Sequence, residues 1–189
     1  MANLYVALWD SLLAESTLYA QEAILNVRTS VLTQRPSSGG WSVAEILEHL
    51  CVTDGLYEAP LRALISAERA RPSLRYSDEW RPSIMGRLLL WSVNPANTRK
   101  SKSPPAFLPQ TLPRPHVVEE WLAQVERTSA LMCDADGLDL RALKLSSPAA
   151  KIIRLNVGDA FAILAAHAAR HMSQVRRTIA DVTGSAVSS

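Results

Sequence analysis

Four histidines occur among 189 residues, and three of them have spacings that suit ligands. His167 and His171 stand four apart in FAILAAHAARHMSQV, where apolar positions recur at helical intervals. Four residues of α-helix turn through about 400°, so these two rings stack one turn above the other, about 40° apart. Such a pair can grip one ion from a single helix face. Leu164, Ala168 and Val175 border it and lean both rings toward a core. His49 lies two turns into another helical segment, flanked by Ile46 and Leu50 on the inward side. Three imidazoles from two packed helices would form one face of a tetrahedral or octahedral site for a divalent cation. The same pattern also describes three core histidines satisfied by hydrogen bonds. Helical geometry alone leaves both readings open.

A ligating histidine usually donates its other N–H to an acceptor behind it. Glu45, one turn before His49, and Gln174, three residues after His171, are the candidates. Glu45 also has a local explanation as the glutamate of a capping box. Asp54 and Glu48 read as solvated. His116, after Pro115 at a helix start, reads as exposed. Cys51 lies about 200° round the helix from His49, outside the site, and reads as a small buried hydrophobe. No G-x-S-x-G, P-loop or dinucleotide fingerprint occurs. Trp9, Trp41, Trp80, Trp91 and Trp121 are spread along the chain, as core or interface anchors are, not grouped as a base-stacking platform.

The elements that must position these residues are helices. Residues 2–33 read as one helix, with Leu4, Leu8, Leu12, Tyr19, Ala23 and Val27 near helical spacing, ended by Pro36 and the following Ser-Ser-Gly-Gly. Ser42 and Glu45 form a capping box that opens VAEILEHLCVTDGLYEAPLRALISAERA, and Pro60 inside it should kink or split that helix. A short helix is expected over 84–92. Six of the eleven prolines then fall at 95, 104, 105, 109, 113 and 115, so this stretch reads as a long crossover or lid. Its Arg99, Lys100 and Lys102 read as a solvated basic cluster. A helix over 115–134 follows, with Glu119 and Glu120 at its positive end. Residues 134–155 read as turns with room for a small hairpin. Asn156, with Asp159 three residues on, caps a last helix that ends before Gly184. Four long helices with one long crossover predict an all-α four-helix bundle, a single domain over 1–189.

Composition bounds the function. Hydrophobic residues make up 48%, charged residues 20%, and the net charge is +2, as in ordinary globular proteins and without the basic surplus of a nucleic-acid binder. Two cysteines, Cys51 and Cys133, are too few for a disulfide scaffold and suit a reducing compartment. Neither a basic leader nor a bilayer-length apolar run appears, so a cytoplasmic protein with no membrane and no nucleic-acid partner is expected.

GGWSVAEILEHL and HAARHMSQVRR together resemble the DinB/YfiT-like metalloprotein superfamily, in order and spacing over nearly the whole chain. The matching positions are Trp41, Ser42, His49, His167, His171 and Gln174, and FLPQTLPRP before the third long helix is also similar. The resemblance implies a four-helix bundle, often a homodimer, with one divalent ion, zinc or nickel, on the three histidines. It also implies a small-molecule substrate and, in some branches, a low-molecular-weight thiol as cosubstrate for S-transfer or isomerisation. Tyr5, Leu13 and Ile24 are the apolar positions expected to face a two-fold partner.

Three neutral histidines leave an ion its charge and at least one open position, the pattern of catalytic rather than structural sites. The readings that follow are a metal-dependent thiol S-transferase acting on small electrophiles, a non-catalytic metal-binding or stress-associated protein, a metal-dependent hydrolase, and a helical module whose histidines bind nothing.

Overall fold

The computed structural model describes residues 3–72, 80–97, 103–109 and 116–184. Four long helices, α1 (Leu4–Ala23), α3 (Val43–Ala70), α5 (Val117–Ala135) and α6 (Val157–Thr183), carry the core. α3 packs on α5 and α6, and α1 packs on the same two, so the four close a ring. This is a four-helix bundle, and its centre is filled by Leu13, Leu47, Leu50, Leu61, Trp121, Leu131 and Phe161, each at most 2% exposed. A short α2 (Thr29–Thr33) lies on α3 and α6, and α4 (Ile84–Val93) on α6. The basic cluster of Arg99, Lys100 and Lys102 lies outside the described residues.

The starts of α3 and α6 follow from local chemistry. Ser42 accepts from the Glu45 N–H at 3.2 Å while Glu45 accepts from the Ser42 N–H at 2.8 Å. Asn156 and Asp159 exchange the same pair of bonds, at 2.6 and 3.0 Å. Each box satisfies two amides that a helix N-terminus leaves unpaired. α6 ends on Gly184, whose φ of 68° is the left-handed conformation that favours glycine at a helix end. α5 begins after His116, which is exposed as expected.

The helix expected over 2–33 is instead two. α1 stops at Ala23, and α2 resumes at Thr29. No glycine or proline marks the break. Ile24, Val27, Thr29, Val31 and Thr33 are β-branched and hold a helix weakly, and the turn buries Ile24 completely. The inward face of α1 also differs from the expected one. Val6, Trp9, Leu13, Ser16 and Ala20 are buried, whereas Leu4 and Leu8 are 77% and 54% exposed. Leu13 and Ile24 are therefore core, and Tyr5 is half-buried against Trp9 and Trp80, so none of the three forms an open two-fold surface. Apolar side chains lie on several sides of α1, and the indole of Trp9, 4.9 Å from that of Trp80 and 6.3 Å from the Phe161 ring, decides which side turns in.

Pro60 does not split α3, which passes through it as one helix. Leu56, whose carbonyl loses its usual donor there, is 41% exposed, so water can serve it. Within 134–155 the chain forms an antiparallel hairpin, β1 (Lys144–Ser147) with β2 (Ala150–Asn156), pairing Leu145 with Leu155. Both leucines are buried. The hairpin delivers the chain into α6: the Val157 and Gly158 N–H groups donate to the Leu143 and Leu140 carbonyls at 3.0 and 3.2 Å.

Candidate metal centre

The two capping boxes set the phase of the helices that carry the histidines. α3 starts at Val43, which turns His49 inward beside Ile46 and Leu50, and His49 is 2% exposed. α6 starts at Val157, which turns His167 and His171 inward, at 9% and 8% exposed. α3 and α6 pack together, and the three rings meet between them. The Nε2 of His167 lies 3.2 Å from the Nε2 of His49 and 3.0 Å from that of His171. The ring centres are 4.5–5.0 Å apart, and the rings stand edge to face. Among the described residues, this is the group of ligand-type side chains close enough to hold one ion.

The donor set fits a divalent cation. The Nδ1 of His49 lies 2.5 Å from the carbonyl oxygen of Phe107, and a carbonyl only accepts, so Nδ1 carries the proton. The Nδ1 of His171 lies 3.0 Å from Oε1 of Gln174 and carries its proton for the same reason. In both neutral rings, Nε2 is therefore a bare lone pair. Only His167 could place a proton between them, and one proton serves one of two contacts. A cation satisfies all three lone pairs together. Nitrogens about 2.1 Å from a shared zinc lie roughly 3–3.4 Å apart, which is the spacing found. The Nδ1 of His167 is buried with no hydrogen-bond partner.

Electrostatics holds the rings neutral, as ligation requires. Burial lowers the pKa of each. His171 falls to about 3, mainly by burial and then by the charge of His49. His167 falls well below the usual value through burial and then the charges of His171, His49 and Arg170. For His49, burial outweighs the opposing bond from Phe107.

Of the two candidate supports, Gln174 faces His171. Glu45 is engaged elsewhere: its carboxylate takes the Ser42 N–H and an ion pair with Arg35, and the acceptor behind His49 is the Phe107 carbonyl. That partner comes from 58 residues away and is a backbone atom, so no side-chain type announces it. Asp54 and Glu48, expected in solvent, are both buried. Burial pushes the Asp54 carboxyl up to about 8, and its Oδ1 has no hydrogen-bond partner. Cys51 is buried and lines a separate cleft of about 170 Å³ with Gln124 and Arg127 of α5. Trp41, half-buried, sets its ring 5.0 Å from that of His49.

No helix among the described residues is long and apolar enough to cross a membrane. Neither the curated proteins nor the solved structures contain a match to the chain. A family model described as the DinB superfamily matches residues 13–175, which cover most of the bundle and all three histidines. This chain belongs to the DinB superfamily.

Proposed function

We propose that His49, His167 and His171 hold one divalent ion, zinc or nickel, and that the protein is a metal-dependent S-transferase joining a low-molecular-weight thiol to a small electrophile. The observation that carries the reading is the convergence of three buried Nε2 atoms with two of the outer nitrogens tied to acceptors. No fourth His, Cys, Asp or Glu joins the group among the described residues, which supports an open position. A divalent ion there would supply Lewis acidity, lowering the pKa of a thiol or water that reaches it.

The chain's own residues do the rest. Burial keeps the imidazoles neutral, the Phe107 carbonyl and Gln174 hold two of them in ligand orientation, and the Trp41 ring forms an apolar wall beside His49. In the transfer, the thiol sulfur forms a bond to the electrophilic carbon. The leaving group departs with its electron pair, and the thiol proton passes to solvent. The burial of the triad favours a second reading, a structural ion in a non-catalytic metal-binding protein. A hydrolase using the same open position is the third. Neither Cys51 nor Cys133 is joined in a disulfide, which supports a cytoplasmic setting. A homodimer is proposed on the exposed apolar side chains Leu4, Leu8, Ile84, Leu88 and Trp91. Light scattering after size exclusion checks that assembly.

The test is elemental analysis of untagged protein, then a screen of thiols against electrophiles. One ion per chain, lost in His171→Ala, with turnover lost in parallel, is the expected result. Full occupancy with no turnover, and a large drop in melting temperature on chelation, would select the structural ion.

A further inference from the structure

The crossover between α4 and α5 meets the metal centre through a backbone carbonyl, that of Phe107, and its sequence prepares it. Pro105–Phe107 form a single 3-10 turn. Its internal bonds, from Phe107 N–H to Pro104 at 2.9 Å and from Leu108 N–H to Pro105 at 3.3 Å, use the carbonyls of Pro104 and Pro105. The Phe107 carbonyl is left over, as at any helix end. Pro109 has no N–H to offer and holds Leu108 extended, at φ −66° and ψ 141°. Prolines thus stiffen the turn on both sides. The Phe107 side chain, 9% exposed, docks it in the core, and the freed carbonyl meets the Nδ1 of His49. The crossover is also gripped from the other histidine helix: Arg170, next to His171, donates to the carbonyls of Asn94, at 2.9 Å, and Asn97.

We infer that the proline-bounded turn Pro104–Pro109 is a positioning element of the centre, whose Phe107 carbonyl fixes His49 as the Nδ1–H tautomer, so that docking of the turn and ion binding strengthen each other. The coupling rests on the reading that the triad holds an ion; the tautomer does not. A ring with its proton on Nδ1 presents its Nε2 lone pair to the site without rearrangement. A ring released from Phe107 would share its proton between both nitrogens and lose part of its affinity. Because coupling is reciprocal, an ion on His49 must also hold the turn more firmly.

The experiment uses the full chain. Long-range proton–nitrogen spectra of the metal-free protein report the His49 tautomer, and zinc titration reports affinity. Amide exchange at Phe107 and Leu108 with and without zinc reports docking. The wild type should show the Nδ1–H form and slower exchange with zinc. Phe107→Ala should populate both tautomers and weaken zinc roughly ten-fold or more. Pro105→Gly, at an exposed position that removes no core contact, should weaken it about two- to five-fold. Ile152→Ala, 90% exposed on the hairpin, should change neither. If Phe107→Ala does not fold, Pro105→Gly decides. An Nε2–H His49 in the wild type, or unchanged tautomer and affinity in both turn variants, overturns the inference. A wild type with the Nδ1–H tautomer that binds neither zinc nor nickel would instead sink the proposed function and leave the positioning role standing.

Discussion

The Nε2 atoms of His49 and His167 lie 3.2 Å apart although 118 residues separate them in the chain. α3 and α6 therefore share one site, and neither helix has it alone. Replacing any one of the three histidines by alanine should lower zinc affinity by at least about 100-fold, because a three-ligand site becomes a two-ligand one. Competition against a chromophoric chelator measures this, with circular dichroism as the check on folding. Wild-type affinity in all three variants would exclude the triad as the site.

The buried titratable groups predict a stability optimum for the metal-free protein. His49, His167 and His171 have lowered pKa values in the fold, whereas the unfolded chain takes up those protons near pH 6.5. The unfolded state binds more protons below that pH, so stability falls as pH drops from about 6.5. Asp54 has the opposite sign. Its carboxyl keeps a proton to about pH 8 that the unfolded chain releases near 3.8, so it removes stability as pH rises between those values, at up to about 1.4 kcal/mol per unit. Below 6.5 three histidines outweigh one carboxyl; above it Asp54 acts alone. Melting temperature should peak near pH 6.5 in chelator-treated protein, and Asp54→Asn should flatten the alkaline side. A wild-type melting temperature still climbing at pH 8 would contradict this.

Trp41 offers an optical report on the ion. Its ring is 5.0 Å from that of His49. Cobalt or nickel at the triad should quench its emission, with zinc leaving it brighter than either. Trp41→Phe should remove most of the quenching. Equal quenching in that variant would place the ion elsewhere.

Gly158 tests the joint that carries α6. A Cβ there would lie 2.3 Å from the Trp80 indole, closer than packing permits. That indole donates to Oδ1 of Asn156 at 3.0 Å, the same oxygen that caps α6 through the Asp159 N–H. Gly158→Ala should push Trp80 off its partner and cost about 2–3 kcal/mol, read from denaturant unfolding. A neutral effect would mean that Trp80 has room to move.

Much of this was legible because its causes are local. Ser42 with Glu45, and Asn156 with Asp159, satisfy each other across three residues, so two helix starts follow from residue types alone. The four-residue spacing of His167 and His171 places them on one face of any helix that contains them. Gln174 stands one turn beyond His171 for the same reason. The end of α1 was not legible, since its break depends on burying Ile24 rather than on a helix breaker. Nor was the burial of Asp54, an acidic residue that carries no outward sign of being enclosed.

By itself the sequence determined the starts of α3 and α6 and the phase of His49, His167 and His171 on them, all set by contacts within one or two turns. The tertiary structure alone decided that His49 meets the α6 pair. It also decided that Phe107 rather than Glu45 stands behind His49, and that Leu13 rather than Leu4 faces the core. The reason is physical. Hydrogen bonds between near neighbours are constrained by helix geometry, while the partner of a buried group across the bundle depends on how whole surfaces pack, and no local pattern encodes that choice.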